Sequence, residues 1–246
     1  TIISWRDIWF YISILVLIVL PLSSFLLIKK LKLDSRENSF KEKGIENINI
    51  KQWTRSEVLK DYRFYIISLN MLSMPSIATG VFVYQSFILT SKNWGPFIMA
   101  QSFMAYSILS VITLSVSGFL IDRYTSRKLL IYMNIPIFIS TIVLYLFDSS
   151  YSSFVFLGLI GITNGFANVL GSSTWAEIYG VKYIGGIKAL TSGLMVFATA
   201  AGTAVFGILI DAGYTINSIA AFSAIYIAII VLLLFFFRNK IEPIYI

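Results

Sequence analysis

Asn164 and Asn168 stand four residues apart within one apolar run, so a helix carries both amides on the same face near mid-depth. Amides so placed can orient a solute by donating and accepting hydrogen bonds. Tyr106 lies at similar depth in a second run, and Asn70 and Gln85 lie in a third. These five are the candidate substrate contacts. The competing use of each is a hydrogen bond between helices. Covalent chemistry has no candidates: the chain contains neither His nor Cys. That removes imidazole acid–base work, thiol nucleophiles and the usual zinc or haem ligand sets. No Lys, Arg, Asp or Glu falls deep in any apolar run, where a charge costs at least about 2.5–3.5 kcal/mol. No catalytic residue, metal ligand or cofactor is expected, and the chain does not read as an enzyme.

The elements that must position these residues are set by composition. Of 246 residues, 57% are hydrophobic and only 13% charged, against about 25% charged in soluble domains. Lipid is therefore the expected solvent. Apolar runs long enough to span a bilayer fall at about 8–28, 65–90, 97–121, 129–147, 153–174, 189–210 and 217–237. Pro75 and Gly80 are expected to bend the second, and the last reads as a peripheral, lipid-facing helix. Lys and Arg are unevenly shared. Ten lie in 29–64, and the connections 122–128 and 175–188 and the C-terminal tail add seven, leaving only Arg6 and Lys92 opposite. The positive-inside rule then puts the N-terminus outside and the C-terminus in the cytoplasm. It also accounts for the net charge of +7 without a nucleic-acid partner. The first run is too long for a signal peptide and ends in Lys29-Lys30. The expectation is a piece of a longer chain, cut just before a span. Residues 33–50 show no period. Thr54-Arg55-Ser56-Glu57 fits a capping box, predicting a short helix over 55–63.

Two further patterns concern motion. Gly118-Phe119-Leu120-Ile121-Asp122 returns 89 positions later as Gly207-Ile208-Leu209-Ile210-Asp211. Hydropathy puts the two copies on opposite sides of the membrane, the mark of an inverted repeat. The first copy continues into Arg123-Tyr124-Thr125-Ser126-Arg127-Lys128. Gly118 admits a close neighbour, Asp122 can face a helix N-terminus, and Arg123 or Arg127 can pair with a carboxylate on an adjacent helix end. Glu177, in Trp175-Ala176-Glu177-Ile178-Tyr179-Gly180, is the natural acid. Together these five form a candidate conformational latch. Gly158, Gly161 and Gly165, and the small residues from Ala198 to Gly207, mark helices that pack closely.

Residues 118–128 resemble the G-x-L-x-D-R-x-G-x-R-K signature of the major facilitator superfamily, with Thr125 in place of the second glycine. Residues 175–185 resemble the loop between the tenth and eleventh helices of its oxalate/formate antiporter and monocarboxylate-type branches. The resemblance implies an all-α integral membrane protein with seven transmembrane helices. In it 1–28 is the last helix of a missing N-terminal half, 29–64 a cytoplasmic linker, and 65–246 a C-terminal domain built as a 3+3 inverted repeat. It also implies secondary transport, as antiporter or symporter, of a small organic solute across a plasma or bacterial inner membrane by alternating access. The expected partners are that solute, membrane lipid and the missing half. Transporters of these branches often hold a carboxylate with a cation in this half, and none lies in the spans here. The alternative reading is a seven-helix receptor. A retinal protein is excluded by the lack of a Lys in 217–237.

Overall fold

A computed structural model describes residues 5–30 and 50–245. The expected linker falls largely outside the described residues. The chain divides into two units, 1–49 and 50–246.

The first unit contributes one helix, α1 (Trp5–Lys30), with Pro21 inside it. The second is a bundle. A single turn, α2 (Arg55–Val58), precedes α3 (Tyr62–Val83) and α4 (Gln85–Ser91). Then come α5 (Ile98–Tyr124), the one-turn α6 (Ser126–Leu129) and α7 (Ile135–Leu146). The long helices α8 (Ser152–Tyr179), α9 (Ile184–Asp211) and α10 (Ile216–Phe237) complete it, ending in a 3-10 turn at Arg238–Lys240. Among the described residues, five helices are long and apolar enough to cross a membrane, namely α3, α5, α8, α9 and α10 with its 3-10 turn. Two shorter apolar stretches, Phe10–Phe25 and Ile135–Leu146, occupy the other two expected spans. The fold is all-α and of integral-membrane type.

Local chemistry explains where the helices start and stop. The capping box forms: the Thr54 amide and hydroxyl both donate to Glu57 Oε2 at 2.8 Å. The resulting helix is shorter than the predicted 55–63. Asp61 begins a new helix by accepting the Arg63 N–H at 3.0 Å, which ends the first after one turn. The second span breaks at Tyr84, between α3 and α4, while Pro75 and Gly80 both lie inside α3. The fourth expected span is also divided. Pro136 sits in the first turn of α7 and has no N–H to continue a preceding helix.

The packing is internally symmetric. α5 runs against α8, and α9 runs against α3; α7 touches α8 and α10, and α10 touches α3. Exchanging the trio α3, α5, α7 with the trio α8, α9, α10 reproduces that contact pattern. Equivalent helices are three places apart in the order of spans, so the repeats run in opposite directions. Close approach is built in at both equivalent contacts. A side-chain carbon at Gly161 would strike the backbone of Tyr106, and one at Gly202 would strike the backbone of Ser76. Hydroxyls tie the same seams: Ser76 Oγ donates to the Ala198 carbonyl at 3.0 Å, and the Asn164 amide donates to Ser110 Oγ at 2.9 Å. α10 is not lipid-facing all round. Ile219, Ser223, Ile227, Ile230 and Leu234 bury one stripe of it.

Candidate functional site

The end of the bundle carrying 122–128 and 175–188, termed the basic end, holds the candidate latch. α5 turns into α6 at Thr125, which has φ 68° and ψ 149°. That region of backbone space is nearly confined to glycine. The turn exposes the N–H groups that open α6, and Glu177, near the end of α8, meets them. Its Oε2 accepts the Ser126 N–H at 2.9 Å, the Arg127 N–H at 3.3 Å and the Ser126 hydroxyl. Its Oε1 lies 3.2 Å from Arg127 Nε. One carboxylate thus caps a helix start and pairs with a guanidinium, and both side chains are about a quarter exposed (24% and 23%). Arg127 Nη1 also reaches Glu242 Oε1, in the tail, at 3.4 Å.

The other latch candidates lie apart from this contact. Arg123 rests over the Tyr124 ring at 5.4 Å. Asp122 is exposed and makes no ion pair among the described residues. Gly118 was read as a point of close approach, but nothing described lies within 4 Å of where its side chain would begin. α5 turns that part of its surface away from the rest of the bundle.

Beside the latch lies a network that the sequence analysis did not single out. Asp61 and Arg63 are buried at the start of α3. Arg63 Nη2 is 2.7 Å from Asp61 Oδ2, and Nη1 donates to the Glu242 carbonyl at 2.5 Å. The Tyr179 hydroxyl donates to Asp61 at 3.1 Å, and the Tyr179 ring stacks on Trp175. The 51–63 segment, the end of α8 and the tail are thereby joined. The available signal was Asp61 directly before an apolar run with Arg63 two residues on: an N-cap pattern that the topology argument absorbed as loop charge.

The candidate substrate residues separate into two groups. Asn164 and Asn168 line one cavity of about 150 Å³ between α3, α8 and α9, with Ser68 and Thr191 as further polar groups and Met71, Met195 and Trp175 among the apolar walls. The Asn168 amide donates to the Asn164 carbonyl at 2.9 Å. Each side chain thus spends one N–H within the protein, and among the described residues neither amide oxygen accepts from a donor. No charged residue lines this cavity.

The other three lie elsewhere. Tyr106 packs its ring between Phe82 and Phe103 at 5.5 and 6.2 Å and does not line the cavity. α5 meets α8 at Gly161 through the Tyr106 backbone, which leaves the ring to the aromatic cluster. Asn70 is fully buried. Its amide donates to the Leu130 carbonyl at 3.2 Å, and its oxygens take the Asn134 amide at 2.7 and 3.0 Å. It pins the α6–α7 connection to α3, and a solute has no access to it. Gln85 opens α4 beyond the break at Tyr84 and lines no cavity with the asparagines.

At the opposite end, Lys92 is almost fully enclosed, at 1% exposure of its side chain, and pairs with Asp148 at 2.5 Å. Trp94 donates to the Asp148 carbonyl at 2.7 Å, tying the α4–α5 connection to the one before α8.

A comparison with curated proteins finds no similar sequence. A family model does match, over residues 1–181, and its description is Major Facilitator Superfamily. That stretch takes in residues 118–128 and the Arg127–Glu177 contact. The all-α membrane bundle is the architecture such a family requires, and on these grounds the chain belongs to the Major Facilitator Superfamily and is a membrane transport protein.

Proposed function

We propose that the chain carries out secondary active transport of a small organic solute by alternating access. In this reading 65–246 is one six-helix half, 29–64 is a cytoplasmic linker, and 1–28 is the last helix of a preceding half that completes the transport path. The observation that carries the proposal is the cavity in which Asn164 and Asn168 face Thr191 across α8 and α9. Its walls are apolar with a few convergent polar groups, the usual make-up of a small-molecule site. The solute meets amides at mid-depth, while the Arg127–Glu177 pair holds the basic end shut and parts when that side opens. The Lys and Arg distribution supports the N-terminus outside and the basic end in the cytoplasm of a plasma or bacterial inner membrane.

Resemblance at 175–185 favours a monocarboxylate or similar anion, of the oxalate/formate or monocarboxylate-type branches. The uncharged cavity means that any cation for a carboxylate is supplied by the other half. No observation favours a receptor.

The test is uptake of radiolabelled formate, lactate or oxalate by the full protein in proteoliposomes. A polar group of the enclosed solute left without its amide partner costs about 1–3 kcal/mol, so Asn168→Ala lowers uptake about ten-fold while membrane insertion stays intact. Normal uptake by both Asn168→Ala and Asn164→Ala refutes the site.

A further inference from the structure

We propose that the cleft between the 51–63 segment and the C-terminal tail binds the phosphate group of an anionic phospholipid. The cleft has a volume of about 510 Å³ and is lined by Trp53, Glu57, Lys60, Asp61, Arg63 and Lys240 among others. Its two carboxylates are already matched within the protein. Glu57 accepts from Thr54 at 2.8 Å and pairs with Lys51 at 3.0 Å. Asp61 pairs with Arg63 at 2.7 Å and accepts from Tyr179 at 3.1 Å. Lys60 and Lys240 meet no carboxylate among the described residues. Lys240 has only the Phe237 ring, at 5.5 Å. Among the described residues the lining is left with two unmatched positive charges, which call for an anion.

Position selects the source of that anion. The cleft lies where α3 begins at Tyr62 and α10 ends at Phe237, and these two rings are 6.1 Å apart. Aromatic rings and lysines at the ends of spans sit at headgroup depth. The outer wall is fixed in place: the Lys51 N–H donates to the Ile244 carbonyl at 2.8 Å, and Arg63 holds the Glu242 carbonyl. A phosphodiester entering from the adjoining leaflet places its charge between Lys60 and Lys240 and leaves its acyl chains along α3 and α10.

The experiment is thermal unfolding of the full protein in detergent, titrated with phosphatidylglycerol, phosphatidylcholine or inorganic phosphate. Phosphatidylglycerol is expected to raise the Tm and phosphatidylcholine to have little effect. Each lysine near an anionic headgroup contributes about 1 kcal/mol. The double variant Lys60→Gln/Lys240→Gln, whose lysines are exposed and outside the core, therefore weakens the apparent phosphatidylglycerol affinity roughly 30-fold. A control with the same charge loss, Lys182→Gln/Lys188→Gln, leaves it unchanged. An equal loss in the control pair, or no response of the wild type to phosphatidylglycerol, overturns the site. A lysine-dependent shift of the same size from inorganic phosphate alone overturns the lipid assignment.

Discussion

Removing the Glu177 carboxylate should loosen the basic end, and the structure sets the scale. The side chain accepts two backbone N–H groups and one hydroxyl and faces one guanidinium. A hydrogen bond to a charged group contributes about 1.5–3 kcal/mol when enclosed, and an exposed ion pair about 0–1 kcal/mol. With both side chains about a quarter exposed, the Arg127–Glu177 coupling falls between these, at about 1–2 kcal/mol. Glu177→Ala also strips the cap of α6, for a total near 3 kcal/mol. Glu177→Gln keeps an acceptor for the cap and loses mainly the coupling. The assay is a double-mutant cycle over Glu177→Gln and Arg127→Gln by denaturant unfolding in detergent micelles. Trp175, two residues from Glu177 in the chain and buried, reports the local transition by its fluorescence once the other four tryptophans are replaced by Phe. A coupling below about 0.3 kcal/mol, within the scatter of independent sites, refutes the assignment of Glu177 as partner.

Three further outcomes follow from the geometry. Thr125→Gly relieves a positive-φ backbone and should stabilise the protein by about 1–3 kcal/mol, read as a raised Tm; a lowered Tm contradicts the strain argument. Gly161→Ala forces a carbon into the Tyr106 backbone and should cost about 1–3 kcal/mol, whereas Gly193→Ala, with open space around it, should be neutral or slightly stabilising; equal effects contradict the close-packing account. Glu57 is held down to about 2 by the Thr54 amide, then the Thr54 hydroxyl and Lys51. A lowered carboxylate contributes stability that is complete above its ordinary value of 4.5 and lost as pH falls toward about 2. The protection of amides at the start of α2, measured against their intrinsic exchange rates, should therefore fall across that window, and Glu57→Gln should abolish the pH dependence of that protection.

The membrane architecture was legible because apolar length is a strong signal. Seven runs appear in the sequence, and each corresponds to helix. Their interruptions were less legible. Pro75 offered a place to interrupt the span, yet the helix α3 continues through it, and the assigned helix ends only at Val83. The break at Tyr84 depends on tertiary contact, since its hydroxyl fills the space over Gly207 on α9. The contact between Glu177 and Arg127 was legible from charge and topology together: few acids lie at a helix end on that side. That Glu177 also caps α6 was not, because the cap reaches across 51 residues of chain. Asn70 and Asn164 look alike in sequence, each an amide within an apolar helix. Only packing separates them. Asn70 meets Asn134 and Ser73 in a closed network, and Asn164 opens onto a cavity.

Alternating access requires the cavity to open to both sides and the latch to bias which one. Gly171 lines the cavity and has open space for a side chain, and the chain has no native Cys. A Gly171→Cys variant can therefore be labelled with a membrane-impermeant maleimide in right-side-out and in inverted vesicles. The account predicts labelling from both sides, with Glu177→Gln speeding the reaction from the basic end several-fold and slowing it from the other. Labelling from one side only, with rates indifferent to Glu177→Gln, would contradict it.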